Sequence, residues 1–474
     1  MRSIAIIGGG FSGTMTAVNL ARLSDIPLRV LLINSGQPLA RGTAYGTRRG
    51  EHLLNVAARN MSAFPDLRNH LVEWLQSRSE YCETPEAQLR EAFIPRKVYG
   101  DYLRGLLLDA MHLGGRSNVR IELVEGEAAD LRSELSTTFS LVMANGAEHS
   151  VNQVLLATGN PPPAPVPGQA PGFAHPAYRA NPWSDWECSL PPSDQPVVLL
   201  GTGLTMVDVF LTLRARGWTG PITAISRNGL LPQPHFKGVE YTNFMADQPK
   251  ALSLAEVREL VEMHCRTLRR QGQNPAIAVD RLRPYTQRLW QALTIVERRE
   301  FLRHDSARWN AARHRIAAPV HEQLSDAVDR GQLRVLGGAI TGLSADGALV
   351  HVHVRDSQGV DSEITGALVV NCTGPQASFS KSSSPLLQSL LQRGIIRSDA
   401  LDMGLEINDD FAAVDSEGHV SNRLFAIGPL LKGSLWETTA VPELRGQALR
   451  AAQILLDIAP VAAMPGEEVL EYCI

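Results

Sequence analysis

A glycine-rich turn near the start of the chain restricts what this sequence can fold into more than any other feature. Residues 3–7 form a short apolar run typical of a strand buried on both faces, and residues 14–23 have helical spacing. Gly8, Gly10 and Gly13 lie between them. A strand, a G-x-G-x-x-G turn and a helix in this order predict a β-α-β unit that binds a dinucleotide. The first glycine permits the tight turn, the second admits a pyrophosphate, and the third lets the helix pack closely on the strand.

The second strand of this unit, residues 28–33, is followed by an amide rather than an acid. Units of this kind place an Asp or Glu about 20 residues after the glycines, where it accepts hydrogen bonds from the ribose hydroxyls. Asn34 occupies that place. Its side-chain oxygen can accept one such bond. We therefore expect Asn34 to contact the ribose, although it departs from the pattern.

A second unit of the same order begins at residues 196–200. This apolar run is followed by Gly201 and Gly203, and then by a helical pattern that continues to about residue 216. Met206 replaces the third glycine, which weakens the pattern, whereas the position directly after a strand supports it. The sequence thus predicts a second dinucleotide-binding unit.

The next strand of the second unit, residues 222–225, is followed by Ser226 and Arg227, where a site specific for NAD would carry an acid. A hydroxyl and a guanidinium suit the additional 2′-phosphate of NADP. The alternative is an arginine that is simply exposed at the end of a strand. The pair favours NADPH over NADH and leaves NADH open.

Composition limits the classes of protein to consider. Apolar residues make up 44% of the 474 positions and charged residues 20%, which excludes a disordered chain. The net charge of −4 gives no general reason to expect nucleic acid or a membrane as partner. None of the five cysteines forms a C-x-x-C pair, which argues against a zinc ribbon or a dithiol redox centre. Scattered thiols suit a reducing compartment, so we expect a cytoplasmic protein.

Two further patterns lie outside the glycine-rich turns. The stretch at about 253–330 is helical in pattern and basic, with twelve arginines between Arg266 and Arg315. Acidic residues are interleaved with them, which favours a solvated or lid-like helical face over a surface that binds nucleic acid. The other short motifs lie within the two units and between them. They are at residues 6–13, 42–46, 52–56, 61–66, 157–159, 201–203, 226–227, 313–315 and 436–442, together with Trp309.

These motifs together resemble the two-dinucleotide-binding flavoproteins, and most closely the bacterial FAD/NAD(P)-binding flavoproteins related to the class B flavin-dependent monooxygenases. The resemblance covers roughly residues 1–455. It implies an α/β fold with two Rossmann-like dinucleotide-binding domains, of which the FAD domain is split and the NADP domain is inserted. The implied domains are 1–175 and 336–460 for FAD, 191–335 for NAD(P) with a helical insertion at about 253–330, and a tail at 461–474.

The same resemblance points to candidate catalytic residues. An Asn lies beside the flavin in class B monooxygenases, and Asn55 is the candidate for that role, with Asn60 as a rival because the spacing differs by one residue. An amide can orient a nicotinamide or donate a hydrogen bond to a flavin adduct. His235 follows the predicted NADP strand and could line the substrate cleft, although a structural histidine is the alternative. His175 lacks the aromatic partners of a Baeyer–Villiger motif.

No metal site is expected, because His351 and His353 share one face of a strand without a third ligand. The cofactor-binding residues are expected at the two glycine turns, at the strand ends and before the last helix. They are Gly8, Gly10, Phe11, Ser12, Gly13, Asn34, Thr43, Tyr45, Asn55, Thr158, Gly159, Gly201, Gly203, Thr205, Ser226, Arg227, Gly428, Trp436 and Thr438.

The function implied by the resemblance is that of an FAD-dependent, NADPH-using monooxygenase, which would oxygenate a small metabolite with molecular oxygen through a flavin hydroperoxide. The alternatives are an NAD(P)H-dependent reductase or oxidase, a nucleic-acid-associated flavoprotein, and a flavin-bound regulator without turnover. Association into a homo-oligomer is left open by the sequence.

Overall fold

The computed structural model describes most of the chain. The predicted tail at 461–474 lies outside the described residues, which are 1–113, 118–135, 137–184, 186–236, 241–245 and 251–459. Within them, no helix is long and apolar enough to cross a membrane.

The amino-terminal unit is built on a six-stranded sheet of the described chain. Arg2–Ile7 lies at its centre, parallel to Leu28–Asn34 on one side and to Gln153–Leu156 on the other. Parallel strands buried on both faces explain why these segments read as continuous apolar runs. The order across the sheet is Ala412–Val414, Val420–Ala426, Gln153–Leu156, Arg2–Ile7, Leu28–Asn34 and Val119–Glu125.

The second unit is built on a five-stranded sheet. Val197–Leu200 is its central strand and is buried at every position. The strand Leu368–Asn371 pairs with it in parallel, so this sheet takes strands from both sides of the boundary near residue 336 that the sequence predicted. The order is Leu333–Gly337, Ile222–Ser226, Val197–Leu200, Leu368–Asn371 and Tyr178–Arg179.

Each parallel sheet is accompanied by a small antiparallel sheet of three strands. Because antiparallel strands can be joined by short turns, each of these sheets is formed by consecutive segments. Their strands are Ala128–Leu135, Thr138–Met143 and Glu148–Val151 in one, and Ala339–Asp346, Leu349–Arg355 and Asp361–Gly366 in the other.

Helices cover the sheets and fill the predicted insertion. Two insertion helices begin with a capping box, formed by Ser253 with Glu256 and by Thr294 with Glu297. The α-helices are Phe11–Leu23, Gly42–Tyr45, His70–Gln76, Glu86–Glu91, Arg96–Leu113, Leu204–Ala215, Leu254–Arg270, Ala276–Leu282, Thr286–Ala292, Ile295–His304, Ser306–Arg313, Ala318–Asp329, Pro385–Gln392, Lys432–Leu435 and Val441–Leu456. Short 3-10 turns lie at Ala58–Asn60, Trp186–Ser189, Arg283–Tyr285, Phe379–Lys381 and Gly428–Leu431.

This arrangement confirms the predicted fold class, an α/β protein with two Rossmann-like units. The carboxyl ends of the central strands meet at one edge of each sheet, and ligands of open parallel sheets bind at that edge. Ile7 lies opposite Ile33 and Leu156, so the turns that follow these three strands converge. The candidate site is at this edge.

Candidate cofactor and active site

The first glycine turn is a cradle that only glycines can form. Gly8 has a φ of +122°, and a Cβ there would overlap the carbonyl oxygen of Ala157. A Cβ on Gly13 would overlap the carbonyl of Gly8 itself. The helix Phe11–Leu23 starts after Gly10 without a side-chain cap or an acid in its first turn. Its first N–H groups are therefore available to an anionic ligand, which fits a pyrophosphate.

Two other segments border this cradle. Gly428 has a φ of +76°, and a Cβ on it would come 3.2 Å from Oγ of Ser12. On another side, a Cβ on Gly10 would lie 3.6 Å from Cα of Gly42. The short helix Gly42–Tyr45 begins there, with Thr43 exposed and Tyr45 half-buried.

Asn34 lies at the carboxyl end of its strand and is 5% exposed. Its Nδ2 donates a hydrogen bond to the carbonyl of Gln37 at 2.9 Å, and the side-chain oxygen faces Gly9. Glu125 stands opposite Asn34 in the neighbouring parallel strand, with its carboxylate 3.4 Å from Nδ2. The acid absent after the second strand is thus present at the end of the adjacent strand. This could not be predicted from the sequence, because the pairing of these two strands was not known.

A closed hydrogen-bond network holds the turn at Gly428 against the last helix. The N–H of Gly428 donates to Oε1 of Gln447 at 3.0 Å, and Nε2 of Gln447 donates to Oγ1 of Thr438 at 2.7 Å. The hydroxyl of Thr438 donates back to the carbonyl of Gly428 at 3.0 Å. Thr438 is fully buried, so its hydroxyl shapes the turn beside Ser12. Gln447 was not predicted from the sequence.

The two predicted catalytic residues are brought together. Nε2 of His235 lies 2.6 Å from the backbone carbonyl of Asn55, and a carbonyl can only accept, so this nitrogen carries the proton. Burial is the main cause that lowers the pKa of His235 to about 4, and Arg315, Arg313 and Arg283 lower it further. His235 is therefore a neutral side chain that positions the segment carrying Asn55.

Trp436 lies in a strained turn. Its φ and ψ are +59° and −72°, and the N–H of Glu437 donates to the carbonyl of Leu435 at 2.7 Å, which makes a γ-turn of the rare kind. The indole of Trp436 stacks on Trp290 with ring centres 5.0 Å apart and meets the edge of Phe301. The turn therefore directs Trp436 into an aromatic cluster with the helical insertion.

A buried charge network, which the sequence did not reveal, connects the insertion to the start of the last helix. Arg313 lies 3.2 Å from Glu437, and Arg283 lies 3.2 Å from Glu443. Burial raises the pKa of Glu437, but Arg313 and the other nearby cations outweigh it and hold the pKa below the usual value. Arg283 and Arg313 are thus buried, within a segment for which the sequence predicted a solvated or lid-like helical face. The only sequence signal was the pair of acids at 437 and 443 among apolar residues.

The second glycine turn repeats the geometry of the first. Gly201 has a φ of +118°, and a Cβ there would overlap the carbonyl oxygen of Cys372, as one on Gly8 would overlap that of Ala157. The helix Leu204–Ala215 begins after Gly203, again without a side-chain cap or an acid in its first turn, and Thr205 is half-buried at its start. This turn can also hold a pyrophosphate.

Other predicted cofactor residues lie at strand ends. Oγ of Ser226 lies 2.8 Å from Oγ1 of Thr202 and accepts the N–H of Gly229, so this hydroxyl orders the loop. Arg227 is exposed, and no hydrogen bond or ion pair to the described residues holds its guanidinium. Thr158 and Gly159, the latter with a φ of +73°, form the turn after the strand Gln153–Leu156.

The chain is similar in sequence to known proteins. Residues 5–161 match the model of an FAD-NAD(P)-binding family. Uncharacterised proteins from Mycobacterium bovis and Mycobacterium tuberculosis are 22% identical over 98% of this chain and 97% of their own length.

Solved structures share the fold over the whole chain. An ornithine N-hydroxylase of Kutzneria sp. 744, determined with reduced FAD, NADP⁺ and L-ornithine, has a TM-score of 0.65 at 15% identity, covering 96% of this chain and 99% of that one. L-lysine 6-monooxygenase from Pseudomonas syringae has a TM-score of 0.63 at 14% identity with the same coverage. Residues 5–161 therefore resemble an FAD-NAD(P)-binding family, and the chain has the fold of this ornithine N-hydroxylase and this L-lysine 6-monooxygenase.

Proposed function

We propose that the protein is an NADPH-dependent flavin monooxygenase that oxygenates a small metabolite. One observation carries the proposal. Two cradles of the same backbone geometry, at Gly8 and Gly201, are present in one chain, and the segment with Asn55 lies beside the second. Two such cradles suit a pair of dinucleotides that react with each other.

FAD, when bound, accepts electrons from the nicotinamide and passes them to molecular oxygen. The backbone N–H groups after Gly10 would hold its pyrophosphate, and Asn34 with Glu125 would face its ribose. The amide of Asn55 would donate to the flavin or orient the nicotinamide, since its backbone is fixed by His235. The buried helix start at Val441, with its N–H groups, would stabilise negative charge on the reduced ring.

The second cradle would hold NADPH. The first N–H groups of Leu204–Ala215 suit the pyrophosphate. Arg227 is exposed directly after the strand Ile222–Ser226 and has a guanidinium available for the 2′-phosphate. These features support NADPH as the preferred reductant.

The helical insertion would exclude water from the reaction. Its side chains donate to the backbone of the segment before the last helix: Nε2 of Gln287 to the carbonyl of Glu437 at 2.6 Å, and Nε1 of Trp290 to that of Gly433 at 2.8 Å. An oxygenating site needs such a cover, because water and protons divert the reaction to hydrogen peroxide.

The test measures whether the electrons of NADPH are used to oxygenate a substrate or to form hydrogen peroxide. The purified protein is loaded with FAD and reduced with NADPH without oxygen, then mixed with aerated buffer and a panel of small amines, thioethers and carbonyl compounds that includes ornithine and lysine. We expect at least one compound to raise the yield of oxygenated product and lower the hydrogen peroxide formed per NADPH. If every NADPH gives peroxide with every compound, the reductase or oxidase alternative replaces the proposal.

A matched pair of variants links that result to the site. We expect Asn55→Ala to uncouple NADPH oxidation from product formation, while Asn60→Ala, the rival position, leaves the coupling unchanged. The opposite pattern would move the role to Asn60.

A further inference from the structure

The segment His52–Asn55 runs between the two dinucleotide units and is braced by the first of them. The N–H of Leu54 donates to the carbonyl of Ile94 at 2.8 Å, and the N–H of Arg96 donates to the carbonyl of His52 at 2.8 Å. These bonds attach the segment to the start of the helix Arg96–Leu113. Its backbone is therefore fixed on the side of the first unit.

The side chain of Arg96 reaches across to the second unit. Its Nε donates to the carbonyl of Leu53 at 2.9 Å, and its Nη1 lies 2.6 Å from Oδ2 of Asp208. The two side chains are only 10% and 6% exposed. Asp208 belongs to the helix Leu204–Ala215, whose first turn forms the second cradle.

His52 adds two bonds to the same helix. Its Nε2 lies 3.1 Å from the carbonyl of Asp208 and 2.9 Å from Oγ1 of Thr212. The carbonyl can only accept, so Nε2 donates, and Nδ1 at 2.9 Å from Oγ1 of Thr47 accepts. Burial lowers the pKa of His52, so a neutral histidine joins the segment to the helix.

A buried ion pair is weak evidence of added stability, because the cost of removing two charges from water offsets their attraction. An apolar pair of similar size would hold two surfaces together as well. A buried ion pair can instead favour one arrangement of the helix against the segment, because its hydrogen-bond geometry is directional. The segment carries Asn55, and the helix carries the second cradle.

We propose that Arg96 and Asp208 are positioning residues that set the separation between the two dinucleotide sites by fixing the helix Leu204–Ala215 against the segment His52–Asn55. The effect on electron transfer rests on the proposed function. The fixed arrangement of helix and segment does not, so the two can be tested separately.

The first experiment uses hydrogen exchange followed by mass spectrometry on the protein without added NADPH. In Asp208→Asn we expect amides of Leu204–Ala215 and of residues 52–55 to exchange at least tenfold faster than in the wild type. The control is Glu187→Gln, which breaks an ion pair with Arg49 across the same two units and one with Arg216 within the second unit, both at more exposed positions. Unchanged exchange in Asp208→Asn would overturn the proposal.

The second experiment measures flavin reduction at saturating NADPH in stopped flow. In the double variant Arg96→Met with Asp208→Leu, an apolar pair replaces the ion pair, so we expect a melting temperature close to that of the wild type. We also expect at least a tenfold slower reduction and an unchanged reaction of the reduced protein with oxygen. A stable double variant that is reduced at the wild-type rate contradicts the positioning role. A wild type that NADPH does not reduce contradicts the proposed function, and the exchange result still decides the inference.

Discussion

Gly8 and Gly201 show how one residue type can determine a binding site. Each stands at the carboxyl end of a central strand, and each approaches the carbonyl of a residue that follows the neighbouring strand. The place of both glycines in a dinucleotide-binding turn could be predicted from the sequence, because the pattern of strand, turn and helix is local. The residues that contact them, Ala157 and Cys372, depend on strand pairing across the sheet.

The first prediction concerns Gly8→Ala. The added Cβ overlaps the carbonyl of Ala157 at a φ of +122°, so we expect a loss of about 2–4 kcal/mol in the free energy of unfolding and little bound flavin. The control is Gly36→Ala, which has a φ of +67° with open space around it and should cost only about 1 kcal/mol. Thermal unfolding and flavin absorbance of the purified variants measure both effects.

A second prediction concerns Arg227→Ala. If its guanidinium binds the 2′-phosphate, removal of a charge-assisted contact of about 1.5–3 kcal/mol should raise the KM for NADPH roughly 10- to 100-fold. Steady-state kinetics with NADH serves as the internal control, because NADH has no 2′-phosphate and its KM should not change. An equal rise in the KM for NADPH and for NADH would show that Arg227 does not contact the 2′-phosphate.

The neutral His235 gives a pH prediction. Its pKa is about 4 in the folded protein and about 6.5 in the unfolded chain, so only the unfolded chain takes up the proton between these values. Stability should therefore fall as the pH drops from about 6.5 to about 4. In His235→Gln, whose amide can still donate to Asn55, we expect a shallower fall. The midpoints of urea unfolding across this pH range test the prediction. If stability falls equally steeply with pH in the variant, His235 is not the group responsible.

For the helical insertion, the helices could be predicted from the sequence, but the residues that they pack against could not. Its helical content follows from spacing and from the capping residues Ser253 and Thr294, which are local signals. The sequence predicted a solvated or lid-like helical face for this segment and its arginines. Arg313 is buried instead, because an acid more than a hundred residues later, Glu437, lies against it. Pairings at that separation cannot be derived from spacing.

This burial predicts a contrast between two substitutions. Glu437→Gln leaves the buried Arg313 without a full counter-charge, so we expect a loss of about 3–5 kcal/mol. Glu300→Gln removes the ion pair with the more exposed Arg258 and should cost less than about 1 kcal/mol. Urea unfolding of the two variants measures the difference, and similar costs would mean that the buried network contributes no more than a surface pair.

For the whole molecule, the sequence was sufficient to predict two Rossmann-like units and the order in which they occur. It was less informative about how strands are shared. The strand Leu368–Asn371 has the same apolar pattern as Gln153–Leu156, yet it joins the second sheet and not the first. Periodicity identifies a buried strand and does not identify its partner. We propose the domain division stated from the sequence, with this strand and the antiparallel sheet of residues 339–366 counted in the second unit, because that sheet shares a core with Val198 and Ile225.

The distribution of charge over the whole molecule gives a last prediction. Arg283, Arg313 and Arg315 are buried, and Arg258 is paired with Glu300 and Asp305. We therefore expect no retardation of labelled tRNA or duplex DNA in gel mobility assays at low salt. Binding that weakens steeply with added salt would instead revive the nucleic-acid alternative.

The placement of the strand Val420–Ala426 beside Gln153–Leu156 has a consequence for biosynthesis. During translation the amino-terminal strands emerge from the ribosome long before Val420–Ala426, which completes their sheet. Gly428, Thr438 and Gln447 emerge later still. The nascent chain therefore exposes an open sheet edge while the second unit is already able to fold. The proposed flavin site, which Gly428 borders at Ser12, is therefore complete only after nearly the whole polypeptide has been translated.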